Sequence, residues 1–126
     1  YRHTKQTFIK SGDAMQELMK KLRLFANERE WEQFHSPKNL SMALAVETAE
    51  IMEHFQWLTE EQSRNLDQKT LEKVKDEIAD TQIYLARLAE QLGIDPIAAA
   101  NDKLIKNADK YPVEKARGSA KKYTEL

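Results

Sequence analysis

Apolar residues recur every three or four positions along most of this chain, which is the spacing of amphipathic helices. Residues 1–10 show no clear period and remain unassigned. After them, Ser11-Gly12-Asp13 offers an N-cap, and we predict a first helix from there to about Trp31–Phe34. Its apolar face consists of Met15, Leu18, Met19, Leu22, Phe25 and Ala26.

Three further helices are predicted from start and stop signals. Ser36-Pro37 begins the second helix, Thr70 caps the third, which Gly93 ends, and Asp95-Pro96 begins the fourth, which ends before Pro112. Residues 59–67 are predicted to form a polar connection that can include a helical turn, and residues 113–126 a basic tail. The apolar face of the second helix consists of Leu40, Leu44, Ile51, Phe55 and Leu58. That of the third consists of Leu71, Val74, Ile78, Leu85, Leu88 and Leu92, and that of the fourth of Ile97, Leu104, Ala108 and Tyr111.

The composition favours an all-α fold in a single domain over residues 1–126. Gly and Pro contribute only 3 residues each, too little turn chemistry for a many-stranded sheet. With 20 Lys and Arg against 21 Asp and Glu, the net charge of −1 creates no field that recruits a nucleic acid polymer or a membrane. The chain has no Cys, which excludes thiolate metal sites and is compatible with a reducing cytoplasm, where we expect the protein.

Two pairs of acidic residues stand where apolar residues belong. On a helical wheel of about 100° per residue, Glu47 falls inside the apolar sector of the second helix and Glu50 lies to its side. Glu77 and Asp80 repeat the three-residue spacing at the edge of the apolar stripe of the third helix. Two antiparallel helices would bring the four carboxylates together, where like charges repel and burial of an unpaired one is costly.

A hard divalent cation is the natural partner of such a cluster, because Mg²⁺ prefers oxygen ligands and binds readily beside substrate phosphates. A di-iron centre is disfavoured, since it takes Glu-x-x-His from two helices. Here His54 follows Glu50 by four residues, and no His stands close in sequence to Glu77 or Asp80. One such acidic pair is usually surface charge, but two pairs on consecutive helices favour a metal and, through it, a phosphate ligand.

These residues resemble a known family. Glu47-x-x-Glu50, then 26 residues, then Glu77-x-x-Asp80 is similar to the signature of the MazG-like superfamily of all-α NTP pyrophosphohydrolases. The segments around Trp31 and Trp57, Lys110-Tyr111-Pro112 and the ending Ala116–Leu126 resemble the dCTP pyrophosphatase branch of that superfamily. The resemblance extends from about Leu18 to the C-terminus.

The resemblance implies a four-helix MazG-like bundle that cleaves a nucleoside triphosphate to the monophosphate and pyrophosphate. It assigns Mg²⁺, with Mn²⁺ as a possible substitute, to the positions Glu47, Glu50, Glu77 and Asp80. One of the carboxylates would act as general base, either Glu47 or Glu50. A chain of this size exposes apolar helix surface, so we expect a homotetramer or a homodimer.

Further residues are candidates for binding the nucleotide. Trp31 and Trp57 would stack on a pyrimidine, or would fill a subunit interface. His35 could hydrogen-bond the base or be structural, and Tyr84 is either a base or sugar contact or a core tyrosine. Asn101-x-Lys103 matches a superfamily pattern that helps to hold the triphosphate. The same resemblance adds two residues from the end of the chain, Tyr111 and Arg117.

The sequence therefore predicts a Mg²⁺-dependent pyrophosphohydrolase that acts on dCTP or a modified cytosine deoxynucleotide in house-cleaning of the nucleotide pool. Two alternatives remain open. One is a non-catalytic helical interaction module whose acidic pairs are solvated or bind a structural metal. The other is a related pyrophosphohydrolase of different base preference, for dUTP or a damaged purine.

Overall fold

Every regular element in the computed structural model is helical, within the described residues 11–126. Six α-helices follow one another along this part of the chain: α1 Ser11–Glu28, α2 Pro37–Glu53, α3 Glu60–Arg64, α4 Gln68–Gln91, α5 Pro96–Lys110 and α6 Val113–Ala116. Two 3-10 turns cover Glu32–Phe34 and Tyr123–Glu125. The all-α prediction is confirmed. None of the described helices is both long enough and apolar enough to cross a membrane.

The chain divides into two compact units, Tyr1–Ile94 and Asp95–Leu126. The first contains α1 to α4, and α2 packs mainly against α4, with α1 lying along α4 as well. The segment just before α2 bonds to Arg87 late in α4, whereas His54 at the end of α2 contacts Glu77, earlier in α4. The two long helices are therefore antiparallel, as the carboxylate argument required.

The predicted end of α1 was wrong, because the helix ends at Glu28 and leaves Trp31 in the following turn. The N–H of Trp31 bonds to the carbonyl of Ala26 at 2.9 Å, and the N–H of Glu30 bonds to that of Asn27 at 3.1 Å. These are the paired bonds of a Schellman motif, in which the residue directly after the C-cap adopts the left-handed conformation. Here that residue is Glu30, with φ of 56°. Helix α1 begins at Ser11, inside the segment predicted to cap it, and nothing is described of the side chains of residues 11–13.

The start of α2 is confirmed and that of α4 is corrected. The hydroxyl of Ser36 accepts a bond from the N–H of Asn39 at 3.2 Å, with Pro37 as the first helical residue. The third long helix begins at Gln68, not after Thr70, because the Asp67 carboxylate accepts a bond from the N–H of Thr70 at 2.7 Å. It ends as predicted before Gly93, which has φ of 67°.

Helix α2 ends earlier than predicted, and the connection that follows it contains a helical turn. The helix ends at Glu53, short of Leu58, and a run of turns continues the chain. In the predicted polar connection, Thr59 and Gln62 form a capping box that starts the short helix α3.

The core of the first unit is small. Its buried residues are Met19 and Ala26 of α1, Leu40 of α2, and Val74, Ala86, Arg87 and Ala89 of α4. The apolar stripe predicted as the buried face of α4 was wrong in part: Leu71, Ile78, Leu85 and Leu92 are 44–54% exposed. The face of α4 that packs on α2 carries Glu77 and its neighbours, and the aliphatic stripe lies beside that face.

In the second unit, helix α5 begins where a helix was predicted. The Asp95 carboxylate accepts bonds from the N–H groups of Ile97 and Ala98, and α5 ends at Lys110 before Pro112. In the predicted tail, helix α6 covers Val113–Ala116, and the ring of Tyr123 packs edge-on against that of Tyr111 at 6.1 Å between centroids.

Candidate active site

Four carboxylates on α2 and α4 share one electrostatic environment. Burial raises the pKa of Glu47 above its ordinary value, and so does a side-chain hydrogen bond with Glu50. The charges of Glu50, Asp80 and Glu77 raise the pKa of Glu47 further. The antiparallel helices therefore bring together all four residues that the sequence singled out.

Two oxygens of this cluster lack a hydrogen-bond partner among the described residues. They are Oε2 of Glu47 and Oε2 of Glu77, both buried. His54 Nε2 contacts Oε2 of Glu77, but without hydrogen-bond geometry. Sequence spacing missed this pairing, because His54 and Glu77 are far apart along the chain and meet only when α2 and α4 pack.

The cluster fits a divalent cation by the chemistry of its donors. All four side chains offer hard oxygen ligands, and a buried oxygen without a partner is what a cation would satisfy. Within the described part of the chain, no three Asp, Glu or His side chains are already arranged around one point. The ion site therefore remains a prediction.

Glu47→Gln is expected to stabilise the metal-free protein at neutral pH. Because the pKa of Glu47 is raised on folding, the folded chain keeps a proton that the unfolded chain releases near pH ~4.3. The stability of the wild type therefore falls as the pH rises from that value through the raised pKa. Gln carries no charge at any of these pH values. The variant should therefore match the wild type in stability below this pH interval, and its gain in stability should be complete above it.

Thermal melts in EDTA at a series of pH values measure this difference. A variant less stable than the wild type at pH 7 in EDTA would contradict the assigned repulsion. Glu53→Gln, an exposed position at the end of α2, is the matched control and should leave the melting temperature nearly unchanged.

An apolar cavity of about 210 Å³ lies beside the carboxylate cluster. It is smaller than the ~300–1,000 Å³ pockets that enclose drug-sized ligands, which suits a single ring rather than a whole nucleotide. Its lining residues are Leu22, Phe25, Ala26, Trp31, His35, Asp80, Ile83, Tyr84 and Arg87.

The cavity brings together three of the residues predicted to bind substrate: Trp31, His35 and Tyr84. The Trp31 ring lies edge-on to Phe25, at 5.7 Å between centroids, and is tilted against His35 at 6.2 Å. The guanidinium of Arg29 lies 3.6 Å from the centroid of Phe25 and braces this edge of the cavity. Aromatic rings on several sides make the cavity suitable for a flat ring.

Arg87 was not identified from the sequence, although it lines the cavity and is only 2% exposed. A usable signal existed, because Glu77, Asp80, Tyr84 and Arg87 follow one another at spacings of three, four and three. Such residues share one helix face. Once Glu77 and Asp80 are singled out, that face leads directly to Tyr84 and Arg87.

The other predicted substrate residues lie elsewhere. Trp57 is 87% exposed and is not among the residues that line the cavity. The remaining four belong to the second unit: Asn101 and Lys103 on α5, Tyr111 at its C-cap and Arg117 at the end of α6. Asn101 is exposed, as is the apolar face of α5 around Leu104.

Comparison with known proteins decides the family. Residues 42–126 match the model of the MazG-like family. The chain belongs to this family. The matched segment contains all four carboxylates and runs through both compact units. Pyrophosphatases of the MazG-like family generally use a divalent metal, which agrees with the donor chemistry of the cluster.

Individual proteins similar to this chain are named as pyrophosphatases. The chain is 43% identical over 104 residues to dCTP pyrophosphatase 1 of Mus musculus and 41% identical to that of Homo sapiens, covering 81% of this chain. It spans 61% of the length of each of these two relatives. The crystal structure of a pyrophosphatase from Archaeoglobus fulgidus is 36% identical, with a TM-score of 0.75 over 84% of this chain and 99% of that one. The predicted MazG-like fold is thereby confirmed.

Proposed function

We propose that the protein is a Mg²⁺-dependent pyrophosphohydrolase that converts dCTP, or a modified cytosine deoxynucleotide, to the monophosphate and pyrophosphate. One observation carries the proposal: Asp80 belongs both to the carboxylate cluster and to the wall of the aromatic cavity. A ligand that places a flat ring in the cavity therefore has its attached groups beside four carboxylates. A nucleoside triphosphate with its metal has this combination of parts.

The carboxylates Glu47, Glu50, Glu77 and Asp80 would hold the Mg²⁺. When bound, Mg²⁺ neutralises phosphate oxygens and makes water a stronger nucleophile at neutral pH. A side-chain hydrogen bond joins Glu47 and Glu50 in the metal-free protein and helps to raise the pKa of Glu47. We assign the general base to this pair, which accepts the proton of the attacking water.

The aromatic cavity would hold the base. Trp31 offers its indole for stacking, and Tyr84 and His35 supply polar atoms at the wall of the cavity. Stacking of a base on an aromatic side chain contributes about 1–3 kcal/mol. Asn101 and Lys103, with Tyr111 and Arg117, remain sequence-based assignments for contacts with the triphosphate.

A panel of canonical and 5-modified deoxynucleoside and ribonucleoside triphosphates tests the base preference. Each is incubated with Mg²⁺, and nucleotide and phosphate products are separated and quantified together. The proposal predicts the highest kcat/KM for cytosine deoxynucleotides. Preference for dUTP or an oxidised purine would keep the reaction and overturn the cytosine assignment, while no turnover of any nucleotide would favour a binding module.

We further propose that the protein forms a homodimer or homotetramer. Leu71, Ile78 and Leu85 on α4 and Leu92 at its C-cap are spaced by seven residues and stay half exposed. A seven-residue repeat of this kind packs one helix against a second copy of itself. Helix α2 adds exposed Met42, Val46 and Met52 on one face. An interface between copies would also cover Trp57, which is 87% exposed in the single chain.

Ile78→Lys and Leu85→Lys are each expected to shift the protein toward smaller species. A charge in the centre of an apolar interface cannot be desolvated without cost. Asp76→Lys places the same side chain at an exposed position on another side of α4 and serves as control. Sedimentation velocity at matched concentrations measures the result. A wild type that sediments as a monomer, or variants that assemble like the control, would contradict the proposed interface.

A further inference from the structure

Arg87 is the most deeply buried charged residue of the described chain, and all parts of its guanidinium are engaged. One Nη donates to Oε1 of Glu32 at 2.9 Å, and the other donates to Oε2 of Glu90 at 3.1 Å. The third donor, Nε, points to Nδ1 of His35 at 3.3 Å. Two carboxylates thus compensate the buried positive charge, and the Nε–H is directed at the ring of His35, which lines the cavity.

The two carboxylates are themselves held in place. The second oxygen of Glu90 accepts a bond from Nε of Arg23 in α1, at 2.6 Å. The second oxygen of Glu32 accepts one from the side chain of Gln91 at 3.3 Å. All four carboxylate oxygens therefore have donors, and the network ties α1, the turn before α2 and the end of α4 together. Because a guanidinium is planar, fixing two of its nitrogens also fixes the direction of Nε–H.

This direction determines the tautomer of His35. A guanidinium N–H only donates, so Nδ1 of His35 must accept and cannot carry a proton. The proton of the neutral ring is then on Nε2. Burial and the nearby charge of Arg87 lower the pKa of His35, while Glu32 acts weakly in the opposite direction. The ring is thus neutral at physiological pH and has one N–H left to offer.

We propose that Arg87 is a positioning residue that holds His35 in the Nε2–H tautomer, so that the cavity presents a fixed hydrogen-bond donor to an acceptor atom of the bound ring. The tautomer stands on the structure alone. The ligand part rests on the proposed function, in which the ring is a cytosine that offers N3 and O2 as acceptors. A ring that brings an N–H to the same place would leave two donors facing each other, a mismatch that costs about tenfold or more in affinity.

Long-range ¹H–¹⁵N spectra of histidine-labelled protein test the tautomer without any substrate. The His35 signals are assigned by their loss in His35→Gln. In the wild type at pH 7 we expect a protonated Nε2 and an unprotonated Nδ1. Arg87→Lys keeps a positive charge but lacks the planar fork, and should move both nitrogens toward the averaged shifts of exchanging tautomers. Arg23→Lys, which changes the same network without touching His35, should leave them unchanged.

Variants of His35 test the donor while Arg87 stays intact, which covers the case in which Arg87→Lys fails to fold. Gln extends an N–H toward the position of Nε2, whereas Asn reaches only toward that of Nδ1. With dCTP we expect His35→Asn and His35→Ala to raise KM by about tenfold or more. His35→Gln should retain most of the wild-type KM, and kcat should change less than KM in all three.

Three results would overturn the proposal. They are a wild-type His35 protonated on Nδ1 or charged at pH 7, an Nε2–H tautomer that persists unchanged in folded Arg87→Lys, and a His35→Gln variant with the KM of His35→Ala. The spectra decide the tautomer even if the protein hydrolyses no nucleotide. Failure of the proposed function is therefore distinguishable from failure of this inference.

Discussion

Glu50→Gln is expected to reduce kcat/KM for dCTP by more than about 100-fold, since even partners of metal ligands contribute ~10–100-fold to affinity or activity. Gln keeps the size of the side chain but removes one charge from the cluster that would hold the cation. It also alters the side-chain hydrogen bond that helps to raise the pKa of Glu47. The loss should appear in the apparent affinity for Mg²⁺ and in kcat.

Glu53→Gln is the matched control, because Glu53 is an exposed glutamate one turn further along α2. It should retain activity within about twofold, as expected of surface substitutions away from a site. The fold of both variants is checked by thermal melts. Glu50→Gln with wild-type kcat/KM and wild-type Mg²⁺ dependence would show that the acidic pairs are surface charge.

Leu40→Ala is expected to destabilise the protein by about 2–5 kcal/mol, the usual range for a large-to-small change in a core. Leu40 is 1% exposed and is the largest fully buried side chain of the described residues. The core of the first unit otherwise consists mainly of small side chains, so little can move in to fill the gap. Since domains of this kind are stable by ~5–15 kcal/mol in total, the loss should be conspicuous.

Urea unfolding at a fixed protomer concentration measures this change, because assembly makes stability depend on concentration. Leu24→Ala, at a half-exposed position on α1, serves as control and should cost less than about 1 kcal/mol. A Leu40→Ala variant with the stability of the control would mean that Leu40 does not anchor α2 against its neighbours.

Helix boundaries were predictable wherever the capping residue is unambiguous. Ser36-Pro37 and Asp95-Pro96 each combine a side-chain acceptor with a Pro that is compatible only with the first turn. At the start of α4, Asp67 and Thr70 are both acceptable caps. The longer helix forms because the Asp67 carboxylate reaches the N–H of Thr70. Sequence spacing gives no means of ranking the two.

The end of α4 was predicted and the end of α1 was not, although the two helices end in the same way. The same Schellman bonds end both helices, with Gly93 in the left-handed position of one and Glu30 in that of the other. Gly adopts this conformation freely, whereas a residue with a side chain pays about 1–2 kcal/mol. Nothing in the local sequence marks Glu30 as a stop, so the helix was extended to Trp31–Phe34. The turn that follows instead places Trp31 and His35 on the cavity.

The acidic cluster was predictable because Glu47 interrupts one apolar stripe and the pair Glu77 and Asp80 stands at the edge of another. Burial of unpaired carboxylates at such positions is costly. The Arg87 network was not, because an Arg among alanines and leucines near a helix end usually lies at the surface. Its burial depends on Glu32 and His35, more than fifty residues earlier in the chain. The aliphatic stripe of α4 was assigned to the core for a related reason: periodicity shows that a face is apolar, not what covers it.

The most direct test of the central claim is a Mg²⁺ titration of dCTP hydrolysis followed by ³¹P NMR, starting from protein in EDTA. The account predicts no turnover in EDTA, saturable activity as Mg²⁺ is added, and signals of dCMP and pyrophosphate as the sole products. Turnover that continues in EDTA would contradict this account, and so would formation of dCDP and phosphate. Absence of turnover by folded protein at any Mg²⁺ or Mn²⁺ concentration would contradict it as well.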